Sequence, residues 1–348
     1  MIPSSLTGHL ATGATSAILA VVAGCSGAPE VSPDAAIRPV PKLLAKKVGA
    51  IVSALAVDGS QVYFGGPGFI DRVSSTGGTA EALFATDSDW PCDIAYDANN
   101  LYWGSATNAY SLRMGPKSGG IPATLATANY PTSQLVSQGN VYFRDGGGVY
   151  RVAADGNAPP QQLAETLGPV GWSDGVGCRT LAMAGTNLFT AHRDVDASVW
   201  RVVRVSRNGG QLTPLHEFTY EPGAVLVDAT TIYWADTSLR SEAGGGALVW
   251  KGAIDGSSRE PFVEDVGVPG GVITSIAMDA DSVYWTAKNT SFASGIIGRK
   301  PKAGGDAEIL YDNLITSIGP LGLTIANGQM YWISFDNSTS KVFTAPVR

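Results

Sequence analysis

This 348-residue chain is poor in charge, cysteine and histidine, and each shortage removes a class of protein. Asp, Glu, Lys and Arg make up 15% of the residues, against a usual ~25%. Thirty acidic residues outnumber 23 basic ones, for a formal net charge of −7, and no stretch is dense in Lys or Arg. Nucleic acids and anionic membranes need a basic footprint, so neither is expected as a partner surface. Three cysteines are too few for a disulfide scaffold. The three histidines, His9, His192 and His216, form no paired metal-ligand motif, and HExxH is absent. Long apolar runs are missing too. The best candidate, residues 10–24 (LATGATSAILAVVAG), is too short to cross a bilayer as a helix.

Glycine (43 residues) and proline (20 residues) are plentiful and punctuate many short strands rather than long helices. The strands belong to a repeat whose clearest copy is DADSVYW at 279–285, a turn followed by a short apolar aromatic strand. Other copies are DGSQVYF (58–64), DANNLYW (97–103), SQGNVYF (137–143), AGTNLFT (184–190), DATTIYW (228–234) and ANGQMYW (326–332). They end at 64, 103, 143, 190, 234, 285 and 332, a spacing close to the ~40–50 residues of a four-stranded propeller blade. Each copy follows a strand of small and apolar residues. After it come a third strand with one basic residue (Arg72, Arg151, Arg204, Lys251, Arg299 or Lys300, Lys341), a Gly-Gly or Asp-Gly turn, and a fourth strand marked by Leu83, Leu125, Leu163, Leu215, Phe262 or Leu310. The consecutive apolar residues Val283, Tyr284 and Trp285 need cover on both faces of the strand, which stacked blades supply. The fold class expected is all-β: a seven-bladed β-propeller of four-stranded antiparallel blades over residues 41–348. The seventh repeat lacks a fourth strand. Residues 41–46 (PKLLAK) read like 160–165 (PQQLAE), with Leu44 in the place of Leu163, so the N-terminal strand (41–47) is expected to close the ring in the last blade.

Ahead of the repeats, the apolar run ends in VAGCS (22–26), which resembles a bacterial lipobox. The resemblance implies a signal peptide over 1–24, lipidation at Cys25, and a small, proline-bearing tether over 25–40. Ser26 is similar to the outer-membrane sorting pattern of Gram-negative bacteria; a secreted or periplasmic soluble protein is the alternative. Cys92 and Cys178 each precede an inner strand, and the blade expected between them weighs against a bridge without closing the question.

In such a meander the strand 1–2 and 3–4 turns share one side of the disc, and these are uniform here. The strand 2–3 loops and interblade connections share the other, and these vary: 144–147, 191–198, 235–246, 286–295 and 333–339, with 87–91 and 165–177 between blades. Insertions gathered on one side of a repeat array mark its binding face. Candidates there are Asp89, Trp90, Arg144, Asp145, Trp172, Asp174, His192, Arg193, Asp194, Asp196, Asp236 and Arg240. Trp and Arg beside carboxylates suit an envelope or extracellular protein, a peptide or a glycan; packing of Trp90 and Trp172 against the channel or neighbouring loops is the competing explanation. No catalytic residue and no cofactor are expected. The alternative is a lyase or hydrolase using His192 as base and a divalent cation on the acidic loops. His216 stands at the end of a fourth strand, and the basic third-strand residues have a structural explanation, stems along the sheet and heads in water or on a carboxylate.

YWAD at 233–236 is similar to the YWTD repeat of propellers in lipoprotein-receptor ectodomains, and YWGS (102–105), YWTA (284–287) and YWIS (331–334) keep its aromatic half. From about residue 41 onward the chain also resembles bacterial propeller lipoproteins with VYW repeats. A monomer that meets a membrane only through its anchor is expected. YWTD propellers usually have six blades, whereas seven repeats are counted here.

Overall fold

The computed structural model describes residues 38–348 apart from 87–88, 106–109, 130, 166–178, 195, 219–221, 237–247, 269–270, 290–293, 315–317, 337 and 348. The leader, Cys25, Trp172, Asp174, Cys178 and Arg240 therefore lie outside the described residues. All regular structure in the described residues is β. It forms seven four-stranded antiparallel sheets arranged as the blades of a ring. The inner strands are Ala54–Asp58, Ile94–Tyr96, Thr132–Ser137, Leu181–Ala184, Pro222–Val227, Val272–Met278 and Ile318–Ala326, and they define blades 1 to 7.

Within blades 1 to 6 the strands pair in chain order. In blade 7 the outer strand is Lys42–Val48, paired antiparallel with Thr339–Pro346. The N-terminal strand thus closes the ring as expected. Its alternation matches the other outer strands: Leu44 and Leu163 are both buried while the residues before them are exposed. Lys47 reaches across to Asp71 of blade 1 at 2.6 Å. Ser340 donates to the Ala50 carbonyl and accepts from the Val52 amide, which fixes the entry into blade 1. Docking starts slightly before the expected boundary, since Arg38 pairs with Glu308 and the Tyr311 hydroxyl donates to the Pro39 carbonyl.

The aromatic strands fill the spaces between blades. Trp103, Trp234, Trp285 and Trp332 are at most 1% exposed. Outer-strand rings of one blade stack on the tryptophan of the next: Phe84 on Trp103 at 5.4 Å, His216 on Trp234 at 5.2 Å, and Tyr311 tilted over Trp332 at 6.0 Å. His216 belongs to this packing. It is buried, its Nε2 lies 2.9 Å from the Ala253 carbonyl, and burial lowers its pKa. Two glycines make room for the rings. A Cβ on Gly115 would come within 2.6 Å of Phe84, and one on Gly252 within 2.5 Å of His216.

The polar half of the repeat is equally local. Asp279 accepts from the amides of Asp281 and Ser282 and from the Tyr284 hydroxyl at 2.7 Å; Asp97 does the same with Asn99, Asn100 and Tyr102. Partial burial disfavours these charges, but the hydroxyl and amides outweigh it and hold both carboxyls below their ordinary range. Burial and the same bond push the Tyr284 hydroxyl up to about 12. Asp228 is held low by its own turn amides and by Lys302 of blade 6 at 3.2 Å. The third-strand basic residues behave as the structural explanation requires. Arg72 and Arg299 bind the facing Glu81 and Glu308, and each donates to a carbonyl of the next blade, Lys117 and Val347.

Two outcomes follow. Gly115→Ala overpacks the Phe84 seat and should lower stability by about 1–2 kcal/mol, less than additively with Phe84→Leu in denaturant titrations. The turn carboxylates have folded pKa values below the unfolded ~3.9, so their stabilisation is complete above that value and disappears as pH falls through the folded pKa. Melting temperature should therefore begin to fall below about pH 6.5, where the unfolded chain protonates His192 and His216 before the folded one does, and fall further below about pH 4, with a shallower second drop in Asp279→Asn.

Candidate functional site

On the loop-bearing side, the expected site residues divide into those used internally and those left at the surface. Asp89 is 4% exposed. It accepts from Trp103 Nε1 at 3.2 Å and from the Ser105 hydroxyl, and lies 3.9 Å from Arg113, so it ties blade 1 to blade 2. Asp145 is buried and accepts from the amides of Asn129 and Gly147. Arg144 is 1% exposed and donates to Thr180 of blade 4 at 3.2 Å. Both residues end the strand Asn140–Asp145, where a loop was expected.

The first half of the loop expected over 191–198 is also strand. His192, Arg193 and Asp194 end the second strand of blade 4, Asn187–Asp194, in register with Arg201, Trp200 and Val199. Asp194 accepts from the Ala197 amide at 3.0 Å and pairs with Arg201, which also binds Glu217 at 3.1 Å. Burial pulls the His192 pKa down, Arg144 and Arg201 add to this, and Asp194 opposes it, leaving a neutral imidazole at neutral pH. Arg144, His192, Asp194 and Arg201 thus share one electrostatic neighbourhood. Asp196 is exposed, and Asp236 is half-buried at the end of Thr231–Asp236. Among the described residues no three His, Cys, Asp or Glu side chains are grouped to share a metal ion.

Several groups stand at the surface on this side. Trp90 is 38% and Tyr110 40% exposed, and the Arg193 guanidinium lies 6.0 Å from the Trp200 ring centroid. Tyr110 and Trp200 were not anticipated, because aromatic residues at strand ends read as core in a sequence so rich in aromatic strands.

A second feature lies on the axis. The inner strands enclose a funnel of about 440 Å³ to which all seven blades contribute. Toward the strand 1–2 turns its wall comprises seven equivalent apolar positions: Val57, Tyr96, Val136, Met183, Val227, Met278 and Ile325. Each stands opposite the first apolar residue of its aromatic strand. At its base Arg179, just ahead of the blade 4 inner strand, crosses the axis. It donates to Asp93 of blade 2 (3.2 Å), to the Leu323 carbonyl and Thr324 hydroxyl of blade 7 (2.9 and 3.1 Å), and to the Leu55 carbonyl of blade 1 (2.8 Å). Its own carbonyl accepts from Val225 of blade 5. Burial pushes the Asp93 carboxyl up, against Arg179 and the Ile94 amide. The one sequence signal for this pair is a charge at the head of an inner strand, where other repeats carry small or apolar residues.

The same contact bears on the cysteines. Blades 2 and 4 meet at the axis through Asp93 and Arg179 even with blade 3 between them, and Cys92, next to Asp93, is disulfide-bonded. Of the two cysteines able to partner it, Cys25 and Cys178, neither lies among the described residues.

No protein-family model and no curated protein sequence matches the chain. Solved structures do. The chain is similar to YCF48 bound to D1 peptide at 10% identity and a TM-score of 0.64, over 89% of this chain and 96% of that one. It is similar to a chain of a mitotic checkpoint complex at 12% identity and TM-score 0.63, over 88% and 96%. It is also similar to oligogalacturonate lyase in complex with manganese at 10% identity and TM-score 0.51, over 87% and 99%. At these identities the likeness shows the propeller fold and nothing finer.

Proposed function

We propose that the protein is an extracytoplasmic binding module that holds a protein or peptide partner on its loop-bearing side. One observation carries this reading: that side exposes Trp90, Tyr110 and Arg193, the last over the half-buried Trp200, while its carboxylates Asp89, Asp145 and Asp194 are spent on internal hydrogen bonds. Exposed aromatic and arginine side chains on a rigid frame are the chemistry of interface anchors. A base with a free acidic partner is what hydrolysis or metal binding needs, and Asp194 is committed to Arg201 and the Ala197 amide. Of the structural neighbours, YCF48 is bound to D1 peptide and another is a chain of a mitotic checkpoint complex.

Export is supported by the lipobox-like VAGCS and by the disulfide at Cys92, which persists in oxidising compartments. In this reading Cys25 carries the lipid, the chain belongs to the outer membrane of a Gram-negative cell, and the propeller faces its partner as a monomer.

Affinity capture from envelope extracts tests the recognition surface. The intact protein should retain a partner, and Trp90→Ala and Arg193→Ala should each weaken retention by about tenfold or more; equal retention by both variants would remove the reading. The anchor is tested separately. Cys25→Ser should abolish labelling by a palmitate analogue and move the protein from membrane to soluble fractions, and an unlabelled wild-type protein would rule the anchor out.

A further inference from the structure

We propose that the axial funnel, on the side opposite the loop-bearing surface, binds a small uncharged aliphatic molecule carrying one hydrogen-bonding oxygen. Its size falls in the range of small-molecule sites, ~300–1,000 Å³, at about 440 Å³. Its wall offers five half-buried apolar side chains, Leu135, Met183, Leu226, Met278 and Ile325, each from a different blade. Two are methionines, whose unbranched thioethers adapt to an irregular apolar partner.

The base of the funnel selects the head group. Among the described lining residues only Asp93 and Arg179 are charged, and they neutralise each other at 3.2 Å. A carboxylate entering the funnel would be brought up to Asp93, and an ammonium group up to Arg179, each away from water and without a free counter-charge. A neutral oxygen meets neither penalty. Four of the five N–H groups of Arg179 are engaged, and among the described residues the fifth, on Nη2, meets no acceptor. A hydroxyl oxygen accepts from that N–H. The site is separate from the surface that carries Trp90, so it stands or falls independently of the partner proposed there.

Calorimetric titration of the full chain with 1-octanol, octanoate and octylammonium at neutral pH separates the head groups while keeping the apolar body constant. One octanol per chain is expected, bound at least tenfold tighter than either ion, with 1-hexanol weaker by about fifteenfold for its two missing methylenes. Met278→Asp should weaken octanol at least tenfold, whereas Ile121→Ser, at a fully exposed outer turn, should leave it unchanged. If Met278→Asp fails to fold, as judged by its melting curve, Met183→Ser replaces it with the same expectation. Octanoate binding as tightly as octanol, the absence of octanol binding, or octanol binding indifferent to both methionine substitutions would each overturn the proposal. Saturation by an apolar peptide in place of octanol would also overturn it, in favour of a polypeptide anchor.

Discussion

The structure depends on strands that are apolar on both faces. Val283, Tyr284 and Trp285 are at most 2% exposed although their side chains alternate across the sheet. Such a strand cannot belong to a sheet with one wet face, so every blade needs a neighbour on each side. An array meeting that need must close on itself, and closure makes the first and last blades mutually dependent. This is why the chain lends its N-terminal strand to blade 7, and why Lys47 and Ser340 bind at the same seam. Ring-on-ring contacts across each interface then demand small residues behind them, which Gly115 and Gly252 supply.

The polar part of the repeat serves the same end by different means. Asp97, Asp228 and Asp279 accept from amides of their own turns, and Asp97 and Asp279 also take the hydroxyl of the tyrosine beside the buried tryptophan. The phenol can therefore be buried by its ring and still be satisfied at its oxygen. Lys117 on Asp58 and Lys302 on Asp228 extend the arrangement between blades. These turns are already occupied with holding the disc, which accounts for their uniformity.

Architecture was legible because it is repeated: Leu44 could be matched to Leu163 and the closing strand placed from six residues. The site was legible only in part. Loop and strand are hard to tell apart where a hairpin is simply longer, so His192 and Arg193 read as loop and are strand. Asp89 and Arg144 look like exposed charges in a connection, and only the position of Trp103 and Thr180 shows that they are buried ties. The axial funnel is assembled from one short segment of every blade, a coincidence in space with no counterpart along the chain.

Departures from the repeat carry the information that the repeat itself lacks. Six blades could be superposed without finding a reason for Arg179, since backbone pairing already satisfies an inner strand. Yet this one guanidinium binds blades 1, 2 and 7 from blade 4, and its carbonyl holds blade 5. An apolar pair in its place would leave the Leu55 and Leu323 carbonyls without these donors, so the guanidinium has a structural role before any other. The recognition proposed for the funnel would have to use what those bonds leave over, in keeping with the rule that locally inconsistent residues concentrate at functional sites.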